Sequence, residues 1–220
     1  MPSEVTAVLL DLAGVLYVEN EPIAGAAAAV ERLREVGLAL RFVTNTTAHA
    51  REQTLAKLAR LGFDIEETEL MTPAALAVRY CRRAGHRRAV LVMNDEVKRD
   101  FAELEESADG AQAVIVGDLG SAFAYDVLNR AFRQLMEGAE LIALQKNLFV
   151  QVLDDLGVAA RTAVMVGDDI ESDIGGALRA GLRAVLVRTG KFREERVRAS
   201  GIQPTAVIDS VAELPGLLVR

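Results

Sequence analysis

Asp11 opens the segment Asp11-Leu12-Ala13-Gly14-Val15-Leu16-Tyr17, and two further polar clusters follow it in the chain: Thr44-Asn45-Thr46-Thr47, and Gly167-Asp168-Asp169 with Asp173 a turn later. Clustered carboxylates repel one another, and they tolerate proximity when a hard cation shares them. Mg²⁺ takes oxygen ligands in octahedral geometry and is usually held by one or two carboxylates plus a substrate phosphate. Asp11 and Asp168 suit that task. Once its charge is offset, a carboxylate such as Asp11 can attack phosphorus and form an aspartyl-phosphate. Thr44 and Asn45 offer a hydroxyl and an amide to equatorial phosphoryl oxygens, where charge spreads in phosphoryl transfer.

Each cluster alone has a plain structural explanation. An Asp with a glycine close behind is often a turn. Gly-Asp-Asp before a helix can be a cap that favours acid near the dipole. Thr-Asn is equally a good helix start. Their joint placement decides the matter, because each falls directly after an apolar run of strand length. Val5 to Leu10, Leu38 to Val43 and Ala163 to Val166 read as strands. Helical patterns alternate with them: Ala24 to Val36 ending at Gly37, Glu52 to Leu61 ending at Gly62, and a helix from Thr72-Pro73 to Arg83, with Thr72 as N-cap. A second block has strands at Ala89 to Met93, Ala113 to Val116 and Leu141 to Leu144, with helices at Val97 to Leu104 and Phe123 to Met136. The last block has a helix at Ile174 to Ala180, strands at Ala184 to Val187 and Ala206 to Ile208, and a final helix. This alternation predicts an α/β fold with a Rossmann-like, doubly wound parallel sheet covered on both faces. Ligands of such sheets bind at the carboxyl ends of the strands, near a topological switch point.

Other motifs carry less. Thr189-Gly190-Lys191 lacks a glycine at the Walker spacing and a following Ser or Thr, and no G-x-G-x-x-G follows the first strand. His49 and His86 stand apart from any Cys or His and are expected at the surface. Arg82-Arg83 and Arg87-Arg88 read as a solvated helix end. The single cysteine, Cys81, excludes an internal disulfide and reads as a small core residue. The net charge of −7 argues against a nucleic-acid partner. No apolar run is long enough for a bilayer, and Met1-Pro2-Ser3-Glu4 lacks the basic start of a signal peptide. A cytoplasmic location is expected.

The chain resembles the haloacid dehalogenase superfamily of phosphatases, in the class whose cap domain is inserted after the second motif. The resemblance rests on Asp11 to Tyr17, Arg41-Phe-Val-Thr-Asn45, Leu61-Gly-Phe-Asp-Ile65, Ala163-Val-Met-Val-Gly-Asp-Asp-Ile170 and Val187-Arg-Thr-Gly-Lys-Phe192. It implies Asp11 as nucleophile and metal ligand, Asp168 as second carboxylate ligand, the Ala13 carbonyl as a third, and Asp173 as a partner beside the metal. It implies Mg²⁺ as cofactor and Thr44 and Asn45 as phosphoryl binders. It also implies a core at 1–73 and 148–220, an α/β cap at 74–147 that closes over the site, and homodimerisation through that cap. Asp95, Glu96 and Asp118 are candidates for meeting a cationic leaving group. Two departures stand out. Many members carry an Asp two residues after the nucleophile, which protonates the leaving group and later activates water, and here that position is Ala13. General acid help is typically worth about 10²–10⁴-fold, so substrates whose leaving groups need little protonation are expected, such as phosphoramidates and pyrophosphate. The family's Gly-Lys-Pro lysine also has no match. Several dozen residues, including a cap segment and a core strand, have no counterpart at the Asn147/Leu148 junction, and Lys146 matches a cap position. Both departures keep a second expectation in view, a catalytically weak or inactive phosphate-binding or scaffolding protein.

Overall fold

The computed structural model describes residues 5–144 and 148–218. In chain order its strands are β1 (Ala7–Asp11), β2 (Tyr17–Val18), β3 (Glu21–Pro22), β4 (Ala39–Val43), β5 (Leu70–Met71), β6 (Arg88–Val92), β7 (Glu105–Glu106), β8 (Ala113–Val116), β9 (Glu140–Ala143), β10 (Ala163–Gly167), β11 (Arg183–Val187) and β12 (Ala206–Ile208). The α-helices are α1 (Ala26–Glu35), α2 (Arg51–Arg60), α3 (Pro73–Ala84), α4 (Asp95–Lys98), α5 (Tyr125–Met136), α6 (Leu148–Leu156), α7 (Gly176–Arg179), α8 (Glu194–Ser200) and α9 (Leu214–Leu218). No helix among the described residues is long and apolar enough to cross a membrane.

Contacts divide the chain into two units. The first comprises Met1–Thr44, Lys57–Met71 and Phe149–Arg220, and the second Asn45–Ala56 and Thr72–Leu148. Residues 45–56, assigned to the core from sequence, thus fall with the inserted unit, and α2 runs across the boundary. The Asn147/Leu148 junction and Lys146 lie outside the described residues.

The first unit is built on a six-stranded sheet in the order β12-β11-β10-β1-β4-β5, every pairing parallel. Ala7 to Leu10 and Ala163 to Val166 are buried because both sheet faces are covered, which is why these strands read as continuous apolar runs. From β1 the chain winds outward through β4 and β5. It returns at β10, beside β1 on the other side, and winds outward through β11 and β12. The switch point therefore lies between β1 and β10. The six strands form an unbroken ladder, with β5 and β12 at its edges.

The second unit holds a four-stranded parallel sheet in the order β7-β6-β8-β9. Alternate residues face opposite layers: Ala89 and Leu91 join Ala74, Val78 and Cys81 of α3, while Val90 and Val92 join Ala131 of α5. Thr72 caps α3, its Oγ1 accepting from the Ala75 N–H at 3.1 Å, and Gly85 ends the helix at φ 79°. Cys81 is buried as expected, and burial, with the Glu140 charge, pushes its thiol up to about 11. His86 departs from expectation, being half-buried with Nε2 2.8 Å from Glu140 Oε2, whereas His49 is exposed.

Most helix ends shift by a residue or two from the predicted spans, and α4 and α7 show the cause in their caps. The Asn94 side chain accepts from the Val97 N–H at 3.0 Å, so α4 starts earlier than Val97 and passes into a 3₁₀ turn at Arg99–Phe101. Asp169 caps in the same way, its Oδ1 accepting from Glu171 and Ser172 N–H groups at 3.0 and 3.1 Å. A wide turn over Ile170–Gly175 follows before α7.

Candidate active site

The fold delivers its carboxylates to the switch point. Leu10 pairs with Val166 and Asp11 with Val43, so Asp11 ends its strand beside Gly167 on one side and just short of Thr44 on the other. After Asp11 the chain turns tightly: the Leu16 N–H donates to the Leu12 carbonyl at 2.9 Å and the Gly14 N–H to the Tyr17 carbonyl at 2.7 Å. Gly14 sits at φ +89°, and a Cβ there would lie 1.9 Å from Asp168 Oδ2. Only glycine fits both demands. At Gly167 a Cβ would lie 2.4 Å from Asp173 Cβ, and at Gly190 one would lie 2.1 Å from Asp168 Oδ2. Three glycines thus let the backbone close around the acidic side chains.

Asp11, Asp168 and Asp173 each present an oxygen within 4.8 Å of the others. Asp173 Oδ2 accepts from the Asp169 N–H at 3.1 Å and Oδ1 from Ser172 Oγ at 3.2 Å. Asp168 Oδ2 accepts from the Lys191 N–H at 2.7 Å, whereas its Oδ1 is buried and accepts no hydrogen bond. An orphaned, buried carboxylate oxygen is costly unless another group completes it.

The electrostatics say the same. Burial, then the charges of Asp173 and Asp168, holds Asp11 well above the ordinary carboxylate range, against the Leu12 N–H and the Lys191 charge. Burial also raises Asp168, against the Lys191 N–H and charge. Burial raises Asp173 to about 6, with Asp168 and Asp169 adding to the effect and the Asp169 N–H opposing it. Asp169 differs: burial would raise it, but the Ser172 and Glu171 N–H groups outweigh that and lower it. Of the adjacent pair, Asp169 is therefore a helix cap and Asp168 belongs to the cluster. A cluster of hard oxygen donors, raised by burial first and by neighbouring carboxylates second, and with one oxygen unsatisfied, fits a hard divalent cation; its lack of sulfur and imidazole makes it unlike a zinc or copper site.

Thr44 is buried at the end of β4, its N–H donating to the Met71 carbonyl at 3.2 Å, and Asn45 next to it is exposed. Ala13 is exposed in the loop after Asp11 and offers no side-chain proton. What sequence reading missed is the contribution of Thr189-Gly190-Lys191. The Thr189 hydroxyl donates to the Gly14 carbonyl, and the Lys191 N–H to Asp168. The signal was present, since this polar run also follows a strand, β11. Measuring it against the Walker pattern concealed it.

With this geometry in place, comparison with known proteins is direct. Residues 8–107 match the model of the haloacid dehalogenase-like hydrolases, and residues 143–214 match a second model described as HAD-hydrolase-like. The chain belongs to the haloacid dehalogenase-like hydrolase family. It is 34% identical to the human phospholysine phosphohistidine inorganic pyrophosphate phosphatase, covering 98% of this chain and 95% of that protein. That alignment runs over 259 positions, more than the 220 residues present here, so the human protein carries residues with no counterpart. The human haloacid dehalogenase-like hydrolase domain-containing protein 2 is 33% identical over 87% of this chain and 88% of its own length. Among solved structures, a p-nitrophenyl phosphatase from Archaeoglobus fulgidus matches with a TM-score of 0.87 at 21% identity, covering 99% of this chain and 100% of that one. A glycerol phosphate phosphatase from Mycobacterium tuberculosis, solved in complex with calcium, matches with a TM-score of 0.78 at 21% identity over 96% of this chain and 76% of its own.

Proposed function

We propose that the protein is a Mg²⁺-dependent phosphatase that carries the phosphoryl group of a small substrate through an aspartyl-phosphate on Asp11. The observation that carries this reading is the three-carboxylate cluster at the switch point, with Asp168 Oδ1 buried and unpartnered. Asp11, Asp168 and the Ala13 carbonyl would hold the cation, with Asp173 beside them. When bound, Mg²⁺ offsets the carboxylate charge and polarises the phosphoryl oxygens.

Asp11 then forms a new O–P bond while the bond from phosphorus to the leaving group breaks, the electron pair departing with that group. A water attacks the same phosphorus in a second displacement, releasing inorganic phosphate and regenerating the Asp11 carboxylate. Thr44 and Asn45 donate to the equatorial oxygens throughout. No side chain at position 13 can protonate the leaving group. Phosphoramidates, whose nitrogen leaves already protonated, and pyrophosphate, whose leaving group is phosphate, are therefore the substrate classes that fit. The human relative is named for both kinds. The inserted unit contains a cavity of about 310 Å³ lined by Thr47, Val116, Gly117, Asp118, Phe123 and Leu144, and Asp118 is the carboxylate among these residues. Asp95 and Glu96 instead lie near Lys98 and His49, at 3.6 and 3.9 Å. A cytoplasmic location and homodimerisation through the inserted unit complete the proposal.

The test is phosphate release from a panel of phosphoesters, phosphoramidates and pyrophosphate, with and without Mg²⁺, for the wild type and Asp11→Asn. Mg²⁺-dependent release lost in Asp11→Asn is expected. Turnover that survives in that variant contradicts the assignment of the nucleophile.

A further inference from the structure

Three carboxylates and a phosphoryl group carrying two negative charges cannot be balanced by one divalent cation. In a water-poor site, residual negative charge is expensive, so another cation must approach the transferring group. The chain has four lysines, Lys57, Lys98, Lys146 and Lys191. Lys57 lies 4.2 Å over the centre of the Tyr17 ring, and Lys98 pairs with Glu106 at 2.9 Å in the second unit. Lys146 is outside the described residues.

Lys191 is held at the cluster by its backbone. Its N–H is bonded to Asp168, and the Thr189 hydroxyl two residues earlier is bonded to the Gly14 carbonyl in the nucleophile loop. Between them Gly190, at φ +62°, packs so closely that a Cβ would lie 2.1 Å from Asp168 Oδ2 and 2.6 Å from Gly14 Cα. The loop is pinned to both halves of the carboxylate cluster. The side chain is not pinned: it is 65% exposed, and its Nζ stands 4.0 Å from Asp169 Oδ2, the outer limit of an ion pair. Such an exposed pair is worth little, so the ammonium is free to swing to a better partner. Its charge already opposes the rise in the Asp11 and Asp168 carboxyls, which places it within electrostatic reach of both. Arg193 and Arg196 line the same cleft beside Asp168 and Asp169, so the wall is basic.

We propose that Lys191 binds the phosphoryl group at Asp11, supplying from the loop after β11 the cation that the family pattern draws from a lysine ahead of Gly167-Asp168. This rests on the phosphatase reading of the site, and it assigns the loop a function that its lack of a Walker pattern concealed.

The full Mg²⁺-loaded protein and its Lys191→Met, Lys191→Arg and Lys146→Met variants would be compared by pyrophosphate turnover and by calorimetric binding of inorganic phosphate. Lys191→Met keeps the backbone N–H on Asp168, so melting should not change. Losing a charge-assisted hydrogen bond should weaken phosphate binding about 10- to 100-fold and lower kcat/KM at least as much, with Lys191→Arg recovering most of both. Binding and turnover in Lys191→Met within about twofold of wild type would overturn the proposal. So would an equal loss in Lys191→Arg, or a loss found in Lys146→Met instead. If the wild type turns over no substrate, the phosphatase reading fails, and phosphate binding still decides the place of Lys191.

Discussion

Asp11, Asp168 and Asp173 are brought together in a buried place, and burial first, with neighbouring carboxylate charge second, holds their carboxyls above the ordinary range. Gly14 is the residue that allows the approach, and Gly14→Ala places a methyl where Asp168 Oδ2 now lies, at a φ that alanine rarely adopts. That change should abolish turnover and lower stability by several kcal/mol, by analogy with strained and overpacked sites, readable from chemical denaturation. Ala13 offers the opposite experiment. Ala13→Asp would restore a proton donor near the leaving group. Turnover of alkyl phosphates should then rise about 10²-fold or more and by more than that of pyrophosphate, since only the alkoxide needs a proton as it leaves while both share the attack of water on the aspartyl-phosphate at Asp11. Equal gains on both substrates would refute the leaving-group argument.

At the scale of elements, the site depends on strand ends more than on helices. β1, β4 and β10 were legible because burial on both faces makes them unbroken apolar runs, and the polar residues at or just past their ends, Asp11, Thr44 and Asp168, stood out as candidates. β7 was not legible, because Glu105 and Glu106 are exposed and carry no apolar signal. α8 went unread for a similar reason, since none of its residues is buried. The wide turn at Ile170–Gly175 was hidden because Asp168 and Asp169 look alike in sequence, and only their hydrogen bonds separate cap from cluster. Thr72 was visible from its type and from Pro73 behind it. Thr72→Ala removes the Oγ1 acceptor for the Ala75 N–H and should cost about 1 kcal/mol, seen as a lower urea midpoint with unchanged slope. An unmoved midpoint would mean the cap contributes nothing.

For the whole molecule, the cluster links stability to pH and to metal. A carboxyl raised in the folded state binds more protons there than in the unfolded chain. Its contribution is full below the unfolded value near 3.8 and is lost as pH rises through the folded one, about 6 for Asp173. The metal-free protein should therefore lose on the order of 2 kcal/mol from this group between pH 4 and pH 7. Mg²⁺ at a hundredfold excess over its Kd should return about 2.7 kcal/mol at pH 7 and much less at pH 4, where protons compete. Calorimetric melting across that range checks both, and equal Mg²⁺ stabilisation at both pH values would contradict the cluster as the binding site. The central claim is covalent, and one measurement meets it directly. Protein mixed with pyrophosphate and Mg²⁺, quenched in acid and digested, would be searched by mass spectrometry for a phosphoryl adduct. The account predicts the adduct on the peptide containing Asp11, absent in Asp11→Asn; phosphate release with the adduct on another residue, or with none captured at any quench time, would contradict it.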